Sequence, residues 1–211
     1  MINAINEMAR ATGKETGRSV FDPRVMEVMA KVPRHEFVPD YQHPYAYDNR
    51  PLPIGNGQTI SQPYIVALMT DLLETKLNDV VLEIGAGSGY QAAILSQLVN
   101  KIYTVEIVRN LGLQAQKRLK NLGYNNVEVK IGDGYEGWEE HAPYDGIIVT
   151  AAISNIPLPL IQQLKPGGRM IIPLGEQFFI QYLTIVEKDE QDKIKTRHIL
   201  PVTFVPFTGK H

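Results

Sequence analysis

Residues 80–90 read Val-Val-Leu-Glu-Ile-Gly-Ala-Gly-Ser-Gly-Tyr, and no other stretch constrains this chain as much. An apolar, largely β-branched run carries one acid, Glu83, and ends in Gly85, Gly87 and Gly89, which alternate with small residues. An amphipathic segment follows at once, with Ala92, Ala93, Leu95, Leu98 and Val99 on its apolar side. Buried strand, tight turn and helix, in that order, open a nucleotide-binding βαβ unit. Glycine serves such a turn because it reaches positive φ without strain, and because a Cβ would collide with a ligand close to the backbone. The free N–H groups at the start of the helix then favour an electron-rich ligand group.

The spacing narrows the class. A dinucleotide fingerprint, G-x-G-x-x-G, would need glycine where Tyr90 stands. A P-loop would end in Gly-Lys-Ser/Thr, and no lysine follows here. The pattern E-x-G-x-G-x-G from Glu83 to Gly89 instead resembles the turn of Rossmann-like S-adenosylmethionine-dependent methyltransferases. On this motif alone, a turn that binds nothing and a nicotinamide or flavin site stay open.

The rest of the chain excludes several classes. The 211 residues suffice for one substantial core. Lys and Arg number 21 against 23 Asp and Glu, giving a net charge of −2 with no basic run, so no nucleic-acid partner is expected. There is no cysteine, which excludes a disulfide framework, a thiolate zinc site and a cysteine nucleophile. No leader-like apolar segment and no run approaching ~18 apolar residues is present, so no membrane partner is expected and the default expectation is a cytoplasmic monomer.

Taken in order, Ile2, Ile5, Met8 and Ala9 predict a short N-terminal helix, and Asp22-Pro23 an N-cap with proline at the first helical position. Val25, Met29 and Val32 give that second helix an apolar stripe. Residues 33–63, rich in proline and tyrosine, are expected to be mostly irregular and, in a compact domain, functional or mobile. They end in Gln58-Thr59-Ile60-Ser61-Gln62-Pro63, which places Ser61 at or beside the N-cap of a helix over the apolar-periodic residues 65–73. Its hydroxyl either caps that helix or, with the helix end and the glycine-rich approach, forms an anion cradle suited to a carboxylate. From residue 79 strands and helices alternate. Lys101–Glu106 ends in an acid 21 residues after Gly85, placed for ribose hydroxyls, and Val127–Ile131 runs into Gly132-Asp133-Gly134 on the ligand side of the sheet. For Glu106 and Asp133 the competing readings are a solvated strand end and a turn-forming aspartate. Strands are expected over Asp145–Thr150 and Arg169–Leu174, a helix over Leu158–Leu164 broken by Lys165–Gly168, and a terminal antiparallel pair over Phe178–Glu187 and Lys193–Leu200. The expected fold is α/β: a mostly parallel, doubly wound Rossmann-like sheet domain (79–211) with an N-terminal helical and irregular extension (1–78), packed as one unit.

Several segments together resemble the protein-L-isoaspartate O-methyltransferases. They are the glycine motif, Thr59-Ile60-Ser61-Gln62-Pro63, Gly132-Asp133-Gly134, Leu164-Lys165-Pro166-Gly167-Gly168-Arg169 and Phe204-Val205-Pro206-Phe207-Thr208, in that order. Pro33-Arg34-His35-Glu36-Phe37-Val38-Pro39 and residues 143–152 also fit, so the likeness runs from about residue 20 to about 209. The resemblance implies S-adenosylmethionine as cofactor, S-adenosylhomocysteine as product, no metal, and isoaspartyl peptides and proteins as acceptors. It implies that Glu83, Gly85, Gly87, Ser88 and Gly89 hold the methionine part of the cofactor, Glu106 the ribose, and Asp133 with Gly134 the adenine side. Gln58, Thr59, Ile60 and Ser61 are similar to the family's flap, Ser61 to its active-site residue, and Thr208 to a C-terminal position that closes on the site. Some members carry a histidine five residues after the serine, where this chain has Val66.

The implied chemistry suits these residues. The acceptor is the free α-carboxylate of an isoaspartyl residue, attacking the sulfonium methyl in line. With a reference pKa near ~4 it is already ionised at neutral pH and needs no general base. Positioning then supplies much of the catalysis. An amino-methylating nucleic-acid enzyme would carry Asn/Asp-Pro-Pro-Tyr where Thr150-Ala151-Ala152-Ile153 stands, and a cofactor-binding module without catalysis would not need the Thr-Ile-Ser-x-Pro segment. The five histidines have no metal-ligand spacing and read as structural or exposed.

Overall fold

The computed structural model describes residues 1–176 and 179–209. The N-terminal pattern forms α1 (Ile2–Ala11), which buries Ile5 and Ala9, and a further turn, α2 (Gly13–Thr16). In α3 (Pro23–Lys31) the Asp22 carboxylate accepts the Arg24 N–H at 2.8 Å and Pro23 stands at the first helical position, so the N-cap is the expected one. Val25, Met29 and Val32 are all buried.

Residues 33–63 are more ordered than their composition suggests. Two 3-10 turns, Arg34–Phe37 and Asp40–Tyr45, lead into an antiparallel hairpin, β1 (Leu52–Gly55) and β2 (Gln58–Ile60). Its loop is Asn56-Gly57, with φ of 53° and 72°, the two-residue turn whose twist matches that of its strands. A hairpin this short does not hold in water alone. Here Leu52 and Ile60 are buried, and Ile54 Cδ1 lies 3.5 Å from where a Cβ on Gly87 would stand, so the hairpin leans on the glycine turn. The following helix, α4 (Pro63–Leu72), buries every residue but Ile65. It is covered by the N-terminal segment: Thr12 Oγ1 meets Tyr64 Oη at 2.5 Å, and Asp71 takes the Asp22 N–H at 2.6 Å and pairs with Arg18 at 3.1 Å.

The alternating part follows the sequence rhythm: β3 (Val80–Ile84), α5 (Tyr90–Ser96), β4 (Lys101–Glu106), α6 (Arg109–Asn121), β5 (Val127–Ile131), β6 (Tyr144–Val149), α7 (Leu158–Gln163), β7 (Leu164–Leu174), β8 (Gln181–Lys188) and β9 (Ile194–Val202). Their order in the seven-stranded sheet is β5-β4-β3-β6-β7-β8-β9. The first five are parallel, and β8 and β9 add as an antiparallel pair. Two boundaries differ from expectation. The Lys165–Gly168 break sits inside β7, where Tyr144 pairs with Leu164 but Gly146 with Arg169, so the strand absorbs it as a bulge. The expected start of β8 at Phe178 lies outside the described residues.

Both faces of the sheet are covered, which explains the unbroken apolar runs. Val81, Ile148 and Ile171 face one buried cluster, with the N-terminal helices and α5; Leu82, Ile147 and Ile172 face the other, with Trp138, Tyr144 and Leu160. The chain winds from β3 outward to β5, then crosses back to β6 on the other side of β3. That reversal opens a crevice at the C-terminal ends of β3 and β6. Because the Asp22 cap is local and solvent-facing, Asp22→Ala should lower stability by about 1 kcal/mol without changing the fold. Urea denaturation monitored by circular dichroism checks this; an unchanged midpoint would show that the cap contributes nothing.

Candidate active site

The glycine turn at the end of β3 is held from four sides. Gly85, Gly87 and Gly89 have φ of 94°, 53° and 89°, where only glycine is unstrained. The Gly85 N–H donates to the Val105 carbonyl at 2.8 Å, and the Thr150 hydroxyl reaches the carbonyls of Ile84 (3.0 Å) and Gly85 (2.7 Å). A Cβ on Gly85 would run into that hydroxyl. Arg118 donates to the Ser88 carbonyl at 2.9 Å. Glu106, at the end of β4, accepts from the Gly87 N–H (2.7 Å) and the Val108 N–H (2.8 Å), so one carboxylate ties the turn to the neighbouring strand.

This turn forms part of the lining of a partly enclosed cleft. Gly85, Gly87, Ser88, Tyr90 and Gln91 line it together with Val105, Glu106, Ile107 and Val108. The same cleft is lined by Gln58, Thr59, Ile60, Ser61 and Val66, by Gly134, Thr150 and Ala151, and by Val205–Thr208. The C-terminal segment is placed by two backbone bonds, Ala152 N–H to the Val205 carbonyl (2.9 Å) and Phe207 N–H to the Ala152 carbonyl (2.8 Å). A second, wider cleft shares Thr59, Ser61, Thr150 and Val205, and continues to Met8, Tyr64, Ile65 and residues 200–204.

Ten of the expected site residues therefore meet in one cleft: Gln58, Thr59, Ile60, Ser61, Gly85, Gly87, Ser88, Glu106, Gly134 and Thr208. Glu83, Gly89 and Asp133 do not line it. Gly89 turns toward α6, where a Cβ would stand 3.1 Å from Leu119 Cδ1. The Asp133 carboxylate accepts the Tyr135 N–H at 3.0 Å and caps a 3-10 turn. Glu83 is fully buried behind the turn, and neither of its carboxyl oxygens has a hydrogen-bond partner among the described residues. Burial pushes its pKa up to about 8, so its carboxyl holds a proton at neutral pH.

Ser61 is not the cap of α4. The N-cap is Gln62, and the Tyr64 N–H is taken from a distance by Asn49 Oδ1 at 3.0 Å. Pro63 has no N–H, so the helix end offers less to an anion than its sequence suggested. What remains at the cleft is the Ser61 side chain, its carbonyl held by Arg34 Nη2 at 2.8 Å. Among cleft residues not singled out from sequence, Tyr90, Gln91 and Thr150 adjoin recognised motifs, and their proximity was the available signal. Val66, noted from sequence only as standing where some members carry a histidine, lines the cleft, as does Ile107 next to Glu106. Among the described residues no cluster of His, Asp or Glu is arranged to hold a metal ion, and no helix is long and apolar enough to cross a membrane.

The sheet order, the glycine turn at its switch point and the acid at the next strand end define a Rossmann-like fold of the S-adenosylmethionine-dependent methyltransferase class. The chain belongs to the protein-L-isoaspartate(D-aspartate) O-methyltransferase family, whose sequence profile matches residues 8–211. That match begins about a dozen residues earlier than the motifs suggested. Protein-L-isoaspartate O-methyltransferase 2 of Syntrophobacter fumaroxidans is 63% identical over 211 residues, covering 100% of this chain and 85% of its own length. A solved protein-L-isoaspartate O-methyltransferase superposes with a TM-score of 0.85 at 28% identity, covering 99% of this chain, which spans 66% of that longer one. A putative protein-L-isoaspartate O-methyltransferase from Plasmodium falciparum, solved with S-adenosylhomocysteine, has the same fold (TM-score 0.78, 23% identity, 97% of both chains).

The geometry is compatible with the cofactor this class uses: the glycine turn lines the cleft, and the Glu106 carboxylate at the end of β4 lines it too. Gly85→Ala, which adds both strain and overlap with Thr150, should weaken S-adenosylhomocysteine binding by about tenfold or more. Calorimetric titration checks this, and unchanged affinity would mean that the turn is not the cofactor wall. Glu83 generates a second prediction. Its folded-state pKa lies above the usual 4.5, so the folded protein keeps a proton that the unfolded chain loses, and stability falls as pH rises from about 4.5 to about 8. Glu83→Gln should therefore raise the melting temperature at pH 8 and by less at pH 5. An equal change at both pH values would show that Glu83 is ionised in the fold.

Proposed function

We propose that this protein transfers the methyl group of S-adenosylmethionine to the free α-carboxylate of L-isoaspartyl residues in damaged proteins, the first step of their repair to aspartate. The observation that carries this reading is that Gln58–Ser61, Val205–Thr208 and the glycine turn line a single cleft. Family membership then gives those segments their meaning. When bound, the cofactor supplies an electrophilic methyl on a cationic sulfur; the chain's residues bind, orient and exclude water.

Gly85, Gly87 and Ser88 receive the methionine end, with Glu83 and Gly89 supporting the turn from behind. Glu106 takes the ribose hydroxyls, and Gly134 borders the adenine side, its loop shaped by the Asp133 cap. Ser61 donates its hydroxyl to the acceptor carboxylate and holds one oxygen toward the methyl carbon, while Gln58, Thr59, Ile60 and Thr208 close over both partners. Attack by a carboxylate on a sulfonium cancels two charges. A cleft that excludes water therefore favours it, and neither a general base nor a Lewis acid is needed. Residues 1–78 form part of the acceptor side, since Met8, Pro51 and Tyr64 wall the second cleft beside Ser61. Isoaspartyl peptides and proteins are the acceptors. The chain acts as a cytoplasmic monomer without metal, nucleic-acid or membrane partner.

The test is methyl transfer from labelled S-adenosylmethionine to a synthetic isoaspartyl peptide beside its aspartyl counterpart. Label on the isoaspartyl peptide alone, released as methanol in mild base, is expected. Label on both, or on neither with the cofactor still bound, would refute the acceptor assignment. Ser61→Ala should lower kcat/KM for the isoaspartyl peptide by about 10- to 100-fold, the worth of a hydrogen bond to a charged group, with cofactor affinity kept. Parallel loss of both would show that Ser61 belongs to the cofactor wall.

A further inference from the structure

Arg34 is the largest fully buried side chain among the described residues (0% exposed). Burying a guanidinium is costly unless its donors are satisfied. Nε donates to the Ala46 carbonyl at 2.9 Å and Nη2 to the Ser61 carbonyl at 2.8 Å, while Cζ stands 4.9 Å from the centre of the Tyr90 ring. No carboxylate pairs with Arg34 among the described residues, and its Nη1 has no hydrogen-bond partner among them. Desolvation lowers its pKa to about 10, which leaves it charged at neutral pH.

The three contacts join parts that are far apart in sequence. Tyr90 opens α5, and both Tyr90 and Ser61 line the first cleft. Ala46 follows the 3-10 turn that leads to the hairpin carrying Gln58–Ile60. Arg34 itself lines neither cleft. If only volume were needed, an apolar side chain would fill this place at less cost than an unpaired cation. A planar fork with a cationic face does what no apolar residue can: it grips two carbonyls while stacking on an aromatic ring.

We infer that Arg34 is a positioning residue for the acceptor half of the site. It fixes the Ser61 peptide relative to the Tyr90 wall, and so passes occupation of the cofactor side to Ser61 without touching either substrate. This rests on Ser61 being the acceptor-side residue.

Arg34→Lys tests it, because lysine keeps the charge and most of the length but cannot hold both carbonyls and the ring together. With cofactor saturating, kcat/KM for an isoaspartyl peptide should fall about 30- to 100-fold, while the dissociation constant of S-adenosylhomocysteine stays within about threefold of the wild type. Full retention of kcat/KM, or equal loss of cofactor affinity, would overturn the assignment. Should the variant not fold, hydrogen exchange on the wild-type protein decides. Adding S-adenosylhomocysteine should protect residues 34–37 and 45–48, which line neither cleft, and no change there would overturn the coupling. If the wild type methylates no isoaspartyl peptide, the functional reading fails by itself, and the exchange measurement still judges Arg34.

Discussion

The site depends on the backbone of the glycine turn being held still before any ligand arrives. A turn with three residues at positive φ has few conformational restraints of its own, since glycine loses more freedom on folding than any other residue. Glu106 and Thr150 supply the restraint. One carboxylate accepts from Gly87 and Val108, and one hydroxyl reaches the carbonyls of Ile84 and Gly85. Both sit at the C-terminal ends of strands next to β3, so the pairing that builds the sheet also places them. The switch point at β3 and β6 makes the crevice, and these side chains make it a site.

The second half of the site is assembled differently. The hairpin and the start of α4 are too short to position Ser61 by themselves, and their order comes from tertiary contacts. Asn49 takes the Tyr64 N–H, Arg34 holds the Ser61 carbonyl, and Ile54 leans on Gly87. The N-terminal helices complete this shell through Thr12 on Tyr64 and Arg18 on Asp71. The glycine turn and the segment carrying Ser61 are thus tied together by a few tertiary contacts. On the proposed reading, a reaction that aligns a carboxylate oxygen, a methyl carbon and a sulfur depends on such fixed placement.

How much of this was legible in sequence follows from the range of each interaction. The parallel strands and their helices were read to within a few residues, because period, glycine and apolar runs are local signals. The hairpin at Leu52–Ile60 was not, although Asn56-Gly57 is a strong turn signal, because proline-rich composition on either side argued for irregular chain. The absorbed Lys165–Gly168 break is the converse case: local breaker residues were overruled by pairing with β6. Ser61 was singled out through its segment and lies in the cleft, yet its relation to the helix was settled by Asn49, a partner 15 residues from Tyr64 in sequence. Glu83 and Arg34 show the same limit. The sequence marks them as an acid and a base in motifs, and only packing shows that both are fully buried.

The central claim is that cofactor and isoaspartyl carboxylate meet in one cleft between the glycine turn and Ser61. A crystal structure of the wild-type protein with S-adenosylhomocysteine and an isoaspartyl peptide tests it most directly. The ribose hydroxyls should lie on Glu106, the sulfur beside the glycine turn, and a peptide carboxylate oxygen within hydrogen-bond distance of the Ser61 hydroxyl and facing the sulfur. A peptide carboxylate bound away from Ser61, or a cofactor seated outside the Gly85–Ser88 wall, would contradict it.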